Sequence, residues 1–271
     1  MVKFTVNKSE NGQNIDQVLF TRYPDLSRNL FFKLLRKKDI RINGVKIGQI
    51  SVVFSGDEVI AYFDEVKHFT VKYEDDNTLI VSKVQGIEVQ TGSDSSPALI
   101  NEIRSAYGNQ MLLCHRLDRN TGGLVVIAKN TESEAKWTEA FKESKVRKTY
   151  KCLVKGKMPQ QTATIKAYHF KDSKKSICYI YDEQRKNTQQ IITRYHVEDY
   201  DKEKDVSTLT VELITGRTHQ IRAHLAHIGH PVLGDGKYGN PKNSMGLRYQ
   251  ALWSYEIEFG NIKVKDEPVF K

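Results

Sequence analysis

The spacing of hydrophobic and polar positions changes several times along the chain, and each change marks an element. Ile15 to Phe20 follows a helical spacing, and Ser27 stands where an N-cap would open a second helix carrying Leu30, Phe31, Leu34 and Leu35 on one side and basic residues on the other. The apolar runs Ile40 to Ile42 and Val45 to Ile47 flank Asn43-Gly44, a dipeptide that favours a two-residue hairpin turn because both central positions need positive φ. Gly56-Asp57 marks another turn before Glu58 to Tyr62. Residues 12–65 thus predict two helices and a small sheet, and a first domain is set at 1–65.

A second domain, 66–271, begins with a bridge from Val66 to Tyr73. Val71 to Tyr73 and Leu79 to Ser82 read as paired strands around the acidic turn Glu74 to Asn77, and residues 90–97 as a surface loop rich in glycine and serine. A short helix is expected over Leu99 to Tyr107, a buried strand over Gly123 to Lys129, and a helix from Thr131 that bears Ala135 and Phe141 and ends among Lys142, Lys145, Arg147 and Lys148. Strand-rich sequence follows from Tyr150 to Leu213, broken by polar loops at Asp172 to Ser176 and Tyr200 to Asp205. From Thr218 to Leu225 the pattern returns to helix, with Ile221, Leu225 and Ile228 on an apolar face. No internal repeat is present, and the fold class is α+β.

Composition narrows the function. The chain has 271 residues, 39% hydrophobic and 28% charged, enough for a sizeable core and incompatible with a disordered tail. Its longest apolar segments, such as Gly122 to Ala128 and Leu209 to Ile214, fall far short of the roughly twenty residues of a spanning helix. Met1 to Gly12 lacks the apolar stretch of a signal peptide, so a cytoplasmic protein without membrane association is expected. Cys114, Cys152 and Cys178 are odd in number and widely separated, which suits buried small hydrophobes better than disulfides or a zinc knuckle. The net charge of +9 fits a polyanionic partner. It is concentrated: Arg28, Lys33, Arg36, Lys37, Lys38, Arg41 and Lys46 face one acidic residue, Asp39, giving +6 between Ser27 and Lys46 while the first 65 residues sum to only +2. Clustering beside a tight hairpin is what tracking of phosphates requires, although a solvated helix face has the same letters.

Asp118 lies in a polar, turn-like stretch, His115-Arg116-Leu117-Asp118-Arg119-Asn120-Thr121-Gly122-Gly123, just before an apolar run. An aspartate there usually caps a turn. The arginines beside it and a second arginine-bearing loop, Thr215 to Arg222, raise another reading, in which Arg222 holds the carboxylate ionised through a bidentate pair so that it acts as nucleophile or base. Backbone donors near Gly216 would suit a phosphate, while a structural cap at Thr215 or Thr218 is equally consistent. His219, His224, His227 and His230 fall within twelve residues, but no cysteine or acidic ligand is in register and Gly229 and Pro231 break helical spacing, so no metal site is expected. Tyr150 heads a strand behind Arg147-Lys148-Thr149, as a core aromatic or as a ring stacking on a base. Lys83 and Gly86 sit at a strand-to-loop change and are expected at the same cleft. No glycine-rich nucleotide fingerprint is present, and cofactor-free chemistry is favoured.

The stretches HRLDRNTGGLVVIAK (His115 to Lys129), RKTY (Arg147 to Tyr150) and LITGRTHQIRAHLAHIGHPVLGD (Leu213 to Asp235) resemble, in order, the hallmark motifs of RNA pseudouridine synthases of the RluA type. The first 65 residues resemble the small RNA-binding domain first described in ribosomal small-subunit protein four. The resemblance implies a pseudouridine synthase catalytic fold with a central antiparallel sheet and an RNA-binding cleft, preceded by a small α/β RNA-binding module. It implies isomerisation of uridine within RNA by base flipping, glycosidic bond cleavage and re-formation at carbon five. Asp118 matches the essential aspartate, Arg222 its basic partner, Tyr150 the tyrosine that stacks on the target uracil, and Arg116 an arginine that braces the space left by the flipped nucleotide. Arg217, His219 and Lys83, with Arg28, Lys33, Arg36, Lys37 and Arg41 of the first domain, are the expected RNA contacts. The chain departs from the family pattern at Gly122, where serine is common, at Val84, where proline is usual, and at Gln250, where histidine is frequent. The expected partner is large-subunit (23S) ribosomal RNA ahead of transfer RNA, handled by a monomer with no obligatory protein partner. A non-catalytic RNA-binding or ribosome-assembly factor is the competing class.

Overall fold

The computed structural model describes residues 1–23, 26–63, 68–91, 98–240 and 244–270. The chain separates into two compact units, Met1–Lys67 and His68–Lys271. The start of the expected bridge, at 66–67, and residues 92–97 of the expected loop lie outside the described residues.

In the first unit, β1 (Val2–Thr5), β2 (Ile40–Ile42), β3 (Val45–Ile47) and β4 (Glu58–Ala61) form an antiparallel sheet in the order β1-β4-β2-β3. The turn between β2 and β3 has positive φ at Asn43 (51°) and Gly44 (79°), as that dipeptide predicts. The Asn43 side chain also ties the hairpin to the next turn, its amide donating to Asp57 and its carbonyl accepting from the Glu58 N–H, each at 2.8 Å. Two helices, α1 (Ile15–Arg22) and α2 (Arg28–Lys37), complete the unit. Ser27 Oγ accepts the Leu30 N–H at 3.2 Å and so caps α2. Phe31, Leu34 and Leu35 are buried with Ile15, Val18 and Leu19, but Leu30, expected beside them, is 37% exposed, at the margin of the stripe.

The second unit is an α+β body around one eleven-stranded sheet. Its strands are β5 (Phe69–Glu74), β6 (Thr78–Lys83), β7 (Leu112–Leu113), β8 (Gly122–Ala128), β9 (Arg147–Lys155), β10 (Thr162–Asp172), β11 (Ile177–Tyr181), β12 (Gln189–Asp201), β13 (Val206–Leu213), β14 (Leu252–Phe259) and β15 (Ile262–Lys265). They run in the order β11-β10-β12-β13-β9-β14-β8-β6-β5, with β7 on β8 and β15 on β14. The sheet is the expected central antiparallel one, with a single parallel contact where β8 and β14 meet, Gly122 opposite Trp253 and Gly123 opposite Ser254.

Burial on both faces explains the unbroken apolar runs in β6 and β8. Leu79, Val81, Val125 and Ile127 pack on one face with α3 (Leu99–Tyr107) and with Ile221 and Leu225 of α5 (Gln220–His227). Ile80, Leu124 and Val126 pack on the other with Trp137 and Ala140 of α4 (Thr131–Lys142). The three cysteines are free and buried. No helix among the described residues is long and apolar enough to cross a membrane.

Candidate active site

The loop between β7 and β8 is pinned inward at His115 and Leu117, and Asp118 follows on its open side. His115 is held under the loop, where the Val126 N–H donates to its Nε2 at 3.0 Å and its ring packs 4.6 Å from that of Phe141. Burial pulls its pKa down to about 3, so the imidazole is neutral. Leu117 is buried as a second anchor, while Arg116 and Arg119 project outward. The Thr121 N–H donates to the Asp118 carbonyl at 3.0 Å and closes the turn, leaving the Asp118 side chain 26% exposed.

Lys83, expected as an RNA contact, is fully buried instead. Its ammonium donates to the carbonyls of Val84, Ile87 and Arg119, each at 3.0 Å, and so bolts the end of β6 to the Asp118 loop. Nothing of it remains to meet a ligand. Burial pulls its pKa down to about 7 against the attraction of Asp118 and Glu88. Gln85 adds a strap, donating to the carbonyls of Asn120 at 3.0 Å and Gln250 at 2.7 Å, and the Gln250 amide donates to Thr121 Oγ1 at 2.8 Å. Gln250, where the family often has histidine, thus supports the same loop.

Arg222 reaches Asp118 from α5, across 104 residues of sequence, with Nη1 donating to Oδ2 at 2.8 Å. The expected bidentate pair between them is not formed. The Nε and Nη2 edge of the guanidinium is spent on Asp235, Nε to Oδ2 at 2.7 Å and Nη2 to Oδ1 at 2.9 Å, and Asp118 receives one N–H of the remaining nitrogen, Nη1. Burial favours protonation of Asp235, but Arg222 and the amides of Lys237 and Tyr238 outweigh it and hold the pKa below the ordinary carboxylate value. Burial likewise works against the Arg222 charge, and the two aspartates more than offset it, raising its pKa. Arg222 is thus a fixed cation between a buried carboxylate and a half-open one. Sequence reasoning missed Asp235, although it closes the third motif; its one signal was an acid following the apolar run Pro231 to Leu233.

His219 lies beside this pair, Nε2 3.9 Å from Asp118 Oδ1, and its Nδ1 meets the Tyr238 hydroxyl at 2.8 Å. It is the N-cap residue of α5 in a left-handed conformation, φ 54°, so neither Thr215 nor Thr218 caps the helix. Tyr150 sits in β9, opposite Val211 on one side and Ser254 on the other. The residue as a whole is 7% exposed, which leaves little surface for a base. Burial and then the Asp118 charge push its pKa up against a hydrogen bond with Ser254, so the phenol stays protonated at neutral pH. Arg217 is exposed in the loop before α5.

The remaining clustered histidines go separate ways: His224 to Thr193 Oγ1, His227 to Asp182, and His230 to the Lys155 carbonyl. Among the described residues no group of three His, Cys, Asp or Glu side chains could hold a metal ion. In the first unit Arg28, Lys33, Arg36 and Lys37 are exposed, and Arg41 lies over the Tyr62 ring at 5.3 Å.

In fold, the chain is similar to Human RNA Pseudouridylate Synthase Domain Containing 1, with a TM-score of 0.65 over 74% of this chain and 83% of that one at 24% identity. Residues 77–227 match the family model described as RNA pseudouridylate synthase. An RNA pseudouridine synthase of Aquifex aeolicus, itself uncharacterized, is 33% identical over 90% of this chain and 82% of its own. Ribosomal large subunit pseudouridine synthase C of Rickettsia bellii is 33% identical over 93% of this chain and 91% of its own. The chain belongs to the RNA pseudouridine synthase family, whose enzymes isomerise uridine in RNA.

Proposed function

We propose that the chain converts uridine to pseudouridine in large-subunit ribosomal RNA, with Asp118 as the reacting group. The observation that carries the reading is the state of that carboxylate. One oxygen is tied to Nη1 of a guanidinium whose Nε and Nη2 are held by Asp235, and the side chain is partly open to solvent. A carboxylate held at one oxygen by a permanent cation, with its other oxygen left open, is oriented to act as a nucleophile or base. Oδ1, the oxygen that Arg222 leaves free, acts on the ribose of a flipped uridine. It either attacks carbon one and displaces nitrogen one of the base, or takes the proton from carbon two to start the same cleavage. The freed uracil, which leaves as the anion, turns and carbon five bonds to carbon one of the ribose, displacing the Asp118 oxygen in the first route and returning the proton of carbon two in the second; the carbon-five proton is then lost to solvent as nitrogen one takes one up.

Tyr150 meets the base only with the small part of its surface left exposed and, as a protonated phenol, donates a hydrogen bond. Arg116, exposed between two inward-facing neighbours, fills the space the nucleotide vacates, and Arg217 adds a phosphate contact. The first domain, 1–65, serves as an RNA-binding module through Arg28, Lys33, Arg36, Lys37 and Arg41, and residues 66–271 as the catalytic domain. The name of the Rickettsia bellii relative supports the choice of ribosomal RNA. A soluble, cytoplasmic protein fits that substrate.

The test is position-resolved pseudouridine mapping in cells lacking the protein, complemented with the native chain or with Asp118→Asn. A ribosomal position that loses its pseudouridine and regains it only with the native chain is the expected result. Restoration by Asp118→Asn removes the role of Asp118, and an unchanged ribosomal map removes the substrate.

A further inference from the structure

Two donors, not one, face the Asp118 carboxylate. Arg222 holds Oδ2, and the His219 imidazole faces Oδ1. The neighbours of His219 assign its tautomer. The Tyr238 hydroxyl accepts the Cys178 N–H at 2.8 Å, which leaves its own proton for the best acceptor in reach, His219 Nδ1 at 2.8 Å. Nε2 therefore carries the ring proton and points it at Asp118. The backbone beneath is held with equal care. His219 adopts φ 54°, a conformation uncommon for a residue other than glycine. The preceding carbonyl, of Thr218, accepts from His169 Nε2 at 3.0 Å and from the Cys178 thiol at 3.3 Å. Strands β10 and β11 thus fix the one backbone geometry that turns this ring toward the carboxylate.

We propose that His219 is a positioning residue for Asp118: locked by Tyr238 as the Nε2–H tautomer, it closes on Oδ1 when RNA enters and fixes the rotation of the carboxylate. The gap of 3.9 Å is ~1 Å beyond a hydrogen bond, the slack common in catalytic contacts before substrate binds. One lone pair of Oδ1 accepts from His219 and the other faces the ribose. The inference rests on Asp118 as the reacting group and adds what sets its angle. The imidazole must be neutral for this. The charged and titratable groups around it are Asp118, Arg222, Asp235, Lys237 and Tyr238, with Cys178 and His169 beneath. Burial foremost, joined by Arg222 and Lys237, lowers its pKa against the attraction of Asp118 and Asp235. Protonation in acid would bind Asp118 in an ion pair and blunt it.

Two measurements test this on the full chain. The first is nitrogen-15 NMR of the histidine rings without RNA. His219 is expected as the Nε2–H tautomer, losing that preference in Tyr238→Phe, and its titration midpoint is expected to fall in Asp118→Asn. An Nδ1–H tautomer, or a midpoint indifferent to Asp118→Asn, overturns the proposal. The second is single-turnover tritium release from a large-subunit ribosomal RNA transcript labelled at carbon five of uridine. His219→Asn suits the left-handed backbone but is too short to reach Oδ1, and should lower the rate roughly tenfold to a hundredfold with half-saturation by RNA little changed. His219→Gln places an amide N–H where Nε2–H stood, and should recover the greater part of that loss and lack the acid-side fall of the native enzyme. Equal impairment in both variants, or a change confined to RNA affinity, overturns it. A native chain that releases no tritium refutes the ribosomal substrate, and the NMR result then decides the proposal by itself.

Discussion

Asp235 shows how a single residue governs the site without touching substrate. Arg222 is 8% exposed at its side chain and the Asp235 side chain is 0% exposed, so each is tolerable in the interior only because the other is there. Asp235→Asn removes the compensating charge while keeping the shape. The expected cost is about 3–5 kcal/mol, the range for breaking a buried pair from one side. Denaturant unfolding reads that cost, and the released fork should swing toward Asp118 and slow turnover. The sign of the pH dependence follows from the lowered pKa. Folding favours the ionised carboxylate, so the stabilisation from Asp235 is complete above its ordinary value of 3.8 and is lost as pH falls through the lower folded value. Native protein should lose stability on acidification below about pH 4, and Asp235→Asn should show a shallower acid limb. Equal slopes in the two proteins would refute the assignment.

At the scale of elements, the parallel contact between β8 and β14 decides what the Asp118 loop can tolerate. Gly122 and Gly123 follow that loop directly. A Cβ at Gly122 would lie 2.2 Å from the Trp253 ring, and one at Gly123, where φ is +101°, 2.3 Å from the Ser254 carbonyl. Trp253 cannot move aside cheaply, because its Nε1 donates to buried Asp266 at 2.7 Å, which also accepts from Ser82 at 2.6 Å. This is the physical reason glycine suits a position where serine is common in the family. Gly122→Ser should cost about 1–3 kcal/mol through overpacking, seen as a melting temperature lower by about 2–4 °C per kcal/mol. An unchanged melting temperature would show that Trp253 has room to give. The same contact marks the limit of what the letters reveal. The β2–β3 turn was legible because Asn43-Gly44 acts locally, and β6 and β8 because burial on two faces leaves unbroken apolar runs. β14 was not anticipated, since it sets Ser254 and Glu256 among Trp253 and Ile257 at the centre of the sheet, where Ser254 meets Tyr150 of β9 and Glu256 pairs with Lys265 of β15 at 3.2 Å. Asp118 and Arg222 stood out within dense motifs, whereas Asp235 and Tyr238 gain their roles only when the chain after α5 folds back on the helix. Lys83 misled for a related reason: at a strand end a lysine ordinarily reaches solvent, and only the three carbonyls around it show that it turns inward.

For the whole molecule, the distribution of charge carries the argument. The chain has a net +9, yet many basic side chains of the second unit are neutralised within it, Lys72 by Asp266, Lys129 by Glu74, Arg194 by Glu212 and Lys151 by Glu267. Arg36 and Lys37, in the last turn of α2, are exposed, and no acidic side chain among the described residues pairs with them. Unpaired cations on a rigid helix release counterions when they meet phosphates, whereas cations already paired within the protein release few. Arg36→Ala with Lys37→Ala should therefore weaken RNA binding and flatten the slope of log affinity against log salt by roughly one to two, since each lost phosphate contact removes about 0.7 to 0.9. Lys129→Ala, which removes a cation already committed to Glu74, should leave that slope nearly unchanged. Filter binding of a ribosomal RNA transcript across a salt series distinguishes the two. Equal slopes for native protein and the double variant would make Arg36 and Lys37 an ordinary solvated helix face, and the RNA-binding role of the first unit would then have to rest on other residues.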